Sequence, residues 1–152
     1  MMKKCMVISL VAVSLMLALV YAKVGQAATK IGPKVRFAPL HIYLDSGSKS
    51  LAAYQFELKA VAGRIKIVGV EGGQHAAFKD APYYDPAALA NDRIIIAAFN
   101  TGSELPKGRT RIATIHLQII GEAEPDYELK LTVAADADAK EIPAKISFEK
   151  GE

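Results

Sequence analysis

The sequence predicts an all-β sandwich on three observations. Apolar and polar residues alternate along most of the chain after residue 28, no stretch longer than about ten residues carries a convincing helical stripe, and turn-forming clusters punctuate the alternation. The first candidate strand spans roughly residues 34–44, from Val35 to Leu44, and Asp45-Ser46-Gly47-Ser48 supplies the turn that ends it. The second, 50–60, shows two plain faces, with Tyr54, Phe56 and Leu58 alternating with Gln55, Glu57 and Lys59. Further strands are expected at 64–71 and 93–99. After the turn Pro106-Lys107-Gly108 comes 110–120, where Ala113, Ile115, Leu117 and Ile119 oppose Thr114, His116 and Gln118. Two more are placed at 127–134 and 142–149. In the last, Ile142, Ala144, Ile146 and Phe148 face one way, Lys145, Ser147 and Glu149 the other, and Pro143 marks an edge or a strand start. Seven or eight strands at this spacing make a sandwich.

The 152 residues, 51% of them hydrophobic and 23% charged, suit one domain and argue against disorder. Residues 1–27 carry Lys3, Lys4 and Lys23 and no acid. Taking those three from the 19 basic residues leaves 16, equal to the 16 acidic ones, so the body of the protein is formally neutral. Such a body lacks the basic surface that nucleic acid requires, and no nucleic-acid partner is expected.

Lys3 and Lys4, the apolar run at 6–22 and the small residues around Ala22 and Ala27 have the layout of a secretory signal peptide, inserting as a helix and cleaved after Ala22 or Ala27. The run is also close to the length of a membrane span, so residues 1–27 are read as a signal peptide or an uncleaved membrane anchor. Membrane is a partner only in the second case. Either way the domain is expected outside the cytoplasm, secreted, periplasmic or at the cell surface. The single cysteine, Cys5, precedes the apolar run, which excludes a lipid-anchor cysteine, a disulfide scaffold and a multi-cysteine metal site.

Residues 51–60 followed by Ile65-Lys66-Ile67-Val68-Gly69-Val70 resemble the strand pair that opens a cohesin domain. Arg93-Ile94-Ile95-Ile96-Ala97-Ala98-Phe99 is similar to the cohesin mid-strand, residues 108–117 to its next alternating strand, and 129–148 to its closing hairpin. The resemblance covers residues 33–150 in order. It implies a jelly-roll sandwich of about eight to nine strands, related to certain carbohydrate-binding modules, that attaches a dockerin-like or other exported protein in polysaccharide-degrading or cell-surface assemblies. It also implies that the partner lies on one flat face built from 51–60, 93–99 and 110–120. By alternation the outward residues there include Gln55, Glu57, Ile94, Ile96 and His116, and these are the candidate protein-binding residues. Ala53 and Gln55 stand where many cohesins carry Asn and Asp.

A second candidate surface is the loop 71–86, with paired glycines, two prolines and two adjacent tyrosines. A sugar ring could stack on Tyr83 or Tyr84 while Glu71, His75 or Asp85 bonds its hydroxyls, which makes a polysaccharide the alternative partner. The other reading of the loop is structural, with Phe78 and one tyrosine pinned over the sandwich end. Asp136 and Asp138 are the only place where calcium comes into question. The glycine of a calcium loop is missing at position six, and its closing acid falls near Ser147 and Phe148, so turn formation explains them better and no cofactor or metal is expected. The histidines, serines and carboxylates stand in no catalytic pattern, and the sequence is read as a non-catalytic binding module.

Overall fold

A computed structural model describes residues 32–151, so the expected export segment and Cys5 lie outside the described residues. Eight strands run through the described chain: β1 (Val35–Asp45), β2 (Ala53–Ala62), β3 (Arg64–Gly72), β4 (Tyr83–Tyr84), β5 (Arg93–Phe99), β6 (Arg109–Ile120), β7 (Asp126–Ala135) and β8 (Lys145–Lys150). They build two four-stranded antiparallel sheets, ordered β3-β6-β1-β8 and β4-β5-β2-β7. Among the described residues the only helical pieces are two 3-10 turns, Ala76–Phe78 and Pro86–Ala88, on either side of β4. Successive strands mostly alternate between the sheets, so each sheet is assembled from distant parts of the chain. The last strand begins after Pro143 and forms an edge, where a residue without a backbone donor is tolerated.

The core is one cluster between the sheets, to which β1 contributes Leu40, Ile42 and Leu44, and β2 contributes Tyr54, Phe56 and Leu58. The alternation of β6 also points inward as expected, with Ala113, Ile115, Leu117 and Ile119 buried. Each large aliphatic or aromatic side chain removed from water in this way contributes roughly 1.5–3 kcal/mol before chain entropy is subtracted. At one side the rings of Tyr127 on β7 and Phe148 on β8 meet edge to face at 5.5 Å and close the gap between the sheets.

Two expectations are corrected. Ile94 and Ile96 are only 1% and 0% exposed, so they belong to the core and Ile95 is the isoleucine that turns outward. The reason is the charge beside them: an outward Ile94 and Ile96 would drive Arg93, which has the parity of Ile95, between the sheets. In addition, β6 pairs with β1 and β3 in the opposite sheet from β2 and β5, so His116 cannot share a face with Gln55 and Glu57.

The loop after β3 is held by close backbone approach. Gly73 donates its N–H to the Phe78 carbonyl at 2.7 Å, and Gln74 donates to the Arg111 carbonyl at 3.0 Å. A Cβ on Gly73 would lie 2.1 Å from that Arg111 oxygen, which belongs to backbone and cannot swing aside. Gly73→Ala should therefore displace the loop from β6 and lower stability by about 2 kcal/mol, roughly the worth of two hydrogen bonds, measured by urea unfolding.

Burial pushes the Tyr54 hydroxyl well above the ordinary tyrosine range, and burial, followed by the nearby Glu124 carboxylate, pushes Tyr127 up to about 12. In the unfolded chain these groups ionise near 10.0, so above that pH the unfolded state binds fewer protons than the folded one. Stability is then complete below about pH 10 and falls as pH rises toward 12; Tyr127→Phe should flatten part of that fall in melting temperature.

Candidate functional site

The outer face of the β4-β5-β2-β7 sheet is ordered in rows by its strand register. One row crosses all four strands: Tyr83 pairs with Ala97, Ala97 with Gln55, and Gln55 with Val133. On one side of it Phe99 pairs with Ala53; on the other Ile95 pairs with Glu57 and Glu57 with Lys130. The last row is Arg93, Lys59 and Glu128. Polarity thus grades along the strands, from an aromatic and aliphatic half to a charged half.

The apolar half is open to solvent. Tyr83 is 69% exposed, Phe99 64% and Ile95 45%, and Val133 is also exposed. The Tyr83 and Phe99 rings are near parallel, at 11°, with centroids 6.0 Å apart. An exposed apolar area of this kind is characteristic of surfaces that something covers. In the charged half Arg93 grips Glu57 in a two-point contact, Nε to Oε1 at 2.6 Å and Nη2 to Oε2 at 3.0 Å. These bonds hold the Glu57 carboxyl below the usual carboxylate range, so it stays ionised and paired.

Of the residues expected on a flat binding face, Gln55 and Glu57 lie on this one. Ile94 and Ile96 face the core beneath it, and His116 lies on the outer face of the other sheet. There His116 Nε2 is 3.2 Å from Glu71 Oε1, and its strand neighbour Thr114 meets His41 Nδ1 at 3.1 Å.

The loop residues are dispersed. Tyr83 and Tyr84 are consecutive in β4 and project to opposite faces; Tyr84 packs against the core, so of the two only Tyr83 is open to a sugar ring. His75 Nδ1 accepts from Ala77 N–H at 3.2 Å and Asp85 Oδ1 from Ala87 N–H at 2.9 Å, each capping a 3-10 turn. Phe78 is buried edge-on against Tyr54 at 5.1 Å. Asp136 Oδ1 accepts from the N–H groups of Asp138 and Lys140, both at 3.0 Å, and so closes its own turn. Among the described residues no three His, Cys, Asp or Glu side chains are disposed to hold a metal. A groove of about 490 Å³ beside residues 45–49 and 143–145 contains no histidine and no aromatic ring.

Phe99 and Val133 escaped the sequence reading, although a signal was present. Arg93 fixes which parity of β5 is wet, and Ile95, Ala97 and Phe99 share it. Comparisons with protein-family models, with curated proteins and with solved structures each returned no match.

Proposed function

We propose that this protein is an exported, non-catalytic binding module that attaches a second protein through the outer face of its β4-β5-β2-β7 sheet. The observation that carries the reading is the exposed apolar area made by Tyr83, Phe99, Ile95 and Val133 on one four-stranded face. A sheet face with an exposed apolar half and a charged half suits a folded partner, whose own surface can match both. The resemblance to cohesins supports the same reading. It supplies the finer fold, a jelly roll, and the partner class, a dockerin-like domain in a polysaccharide-degrading or cell-surface assembly. Two strands expected to form that face, β2 and β5, do lie side by side; β4 and β7 flank them where β6 was expected.

The test is affinity capture of partners from culture supernatant or periplasmic extract, using residues 28–152 as bait and mass spectrometry as readout. Phe99→Asp is expected to weaken capture by about 2 kcal/mol or more, the effect of removing a central anchor. Capture unchanged in folded Phe99→Asp and Ile95→Asp proteins contradicts the proposal.

The paired rings favour one second reading, a glycan platform. A pyranose presents an apolar face that packs on aromatic rings, and Tyr83 and Phe99 are exposed and near parallel, although the chain has no tryptophan. On that reading Tyr83→Ala releases the domain from insoluble polysaccharide, while Ile95→Asp leaves retention unchanged.

A further inference from the structure

The outer face of the other sheet carries a second open apolar area, and its surroundings differ in charge. At the end where the described chain begins, two rows cross β3, β6 and β1: Arg64, Ile120 and Val35 in one, Lys66, Gln118 and Phe37 in the next. Phe37 is 70% exposed and Val35 45%, and Val68 is exposed on β3, on the far side of β6 from them. Phe37 stands clear because β8 flanks β1 only from Leu40 to Asp45, which leaves its first residues as an uncovered edge.

The margin of this area carries four cations, Lys34, Arg36, Arg64 and Lys66, beside the acidic turn after β6, where Glu124 holds Arg36. Among the described residues Arg64 and Lys66 take part in no ion pair, and Lys34 meets Glu122 only at 3.6 Å between exposed side chains. The chain leading into this corner has the same sign: there is no Asp or Glu before Asp45, and Lys23, Lys30, Lys34 and Arg36 follow the apolar run at 6–22.

We infer that the corner formed by Val35, Phe37, Arg64 and Lys66 is a membrane-apposed surface that rests on anionic lipid headgroups. The cations meet the headgroup phosphates, and Phe37 enters the boundary between headgroups and acyl chains, where an aromatic ring is favoured. An acidic protein would satisfy the charges, but the position of the corner, directly after a basic stretch that follows the apolar run, favours the bilayer. The arrangement leaves the β4-β5-β2-β7 face, on the opposite side of the sandwich, open to a partner.

Sedimentation with lipid vesicles tests this. Every core residue lies within 33–151, so residues 28–152 can be used without the apolar run. The protein is expected to sediment with vesicles of phosphatidylcholine and phosphatidylglycerol, less so as salt is raised, and not with phosphatidylcholine alone. Reversing both cations, Arg64→Glu with Lys66→Glu, should weaken binding at least about tenfold, since each cation near such a surface is worth about fivefold. Phe37→Ser should weaken it further, and Phe99→Ser, on the other sheet, should leave it unchanged. Circular dichroism confirms that each variant is folded. Failure of the unaltered protein to bind anionic vesicles at low salt overturns the inference. So does binding that survives both the charge reversal and Phe37→Ser, or that is lost with Phe99→Ser.

Discussion

Ile96→Asp should unfold the domain, and Ile95→Asp, one residue away, should leave it standing. Ile96 is fully buried, facing the core from β5, with Phe56 as its cross-strand neighbour on β2. An aspartate there gives up the apolar burial and places a carboxyl group where no cation can meet it, a change that costs about 4 kcal/mol or more. Small domains hold only about 5–15 kcal/mol in total, so much of the protein would be unfolded or insoluble. Ile95 lies on the solvent face beside Glu57, and an aspartate there should cost about 1 kcal/mol or less. Urea unfolding followed by circular dichroism separates the two. Equal midpoints would mean that β5 presents its faces the other way round. The contrast also governs how the proposed binding surface is tested, because loss of capture by Ile96→Asp would report unfolding, and only Ile95 and Phe99 report the face itself.

The second large effect is expected at Tyr54. In the pairing of β1 with β6, Ile42 faces Ala113 and Tyr43 faces Arg111, so Ile112 is the extra residue of a β-bulge. Tyr54 O–H, reaching across from the opposite sheet, donates to the Ile112 carbonyl at 2.9 Å. The ring meanwhile packs against Phe56 and Phe78. Tyr54→Ala should cost about 3–5 kcal/mol through the cavity it leaves. Tyr54→Phe keeps the ring but removes this buried hydrogen bond to the Ile112 carbonyl, for a loss of about 1–3 kcal/mol. If Tyr54→Phe is neutral in urea unfolding, the hydroxyl does not tie the sheets together. If Tyr54→Ala costs no more than Tyr54→Phe, the ring is not a core element.

How much of this was legible beforehand depended on whether the relevant physics was local. Alternation in β2 and β6 announces which side chains are dry because successive residues of a strand point to opposite faces, and those orientations hold in the structure. In β5 the same rule put Ile94 and Ile96 outward, and the structure buries both. Three isoleucines in succession are equally apolar on both parities, and only Arg93 breaks the tie. The two-residue strand at Tyr83–Tyr84 was too short to show any period, so its opposite-facing rings could not be seen, nor could the pairing of Tyr83 with Phe99, which lies sixteen positions further along the chain.

By itself the sequence determined an all-β body, the positions of seven of its strands within a few residues, most of its core, and the neutrality of residues 28–152 against a basic start. The tertiary structure alone decided that β6 leaves the β2-β5 face, that Phe99 and Val133 join it, and that Tyr54 caps a bulge on the far sheet. The division has a physical cause. Burial pattern and turn chemistry act over a few neighbouring residues and are written in their order. The sheet a strand joins is settled by hydrogen bonds and packing between segments far apart in the chain, which no short stretch of residues encodes.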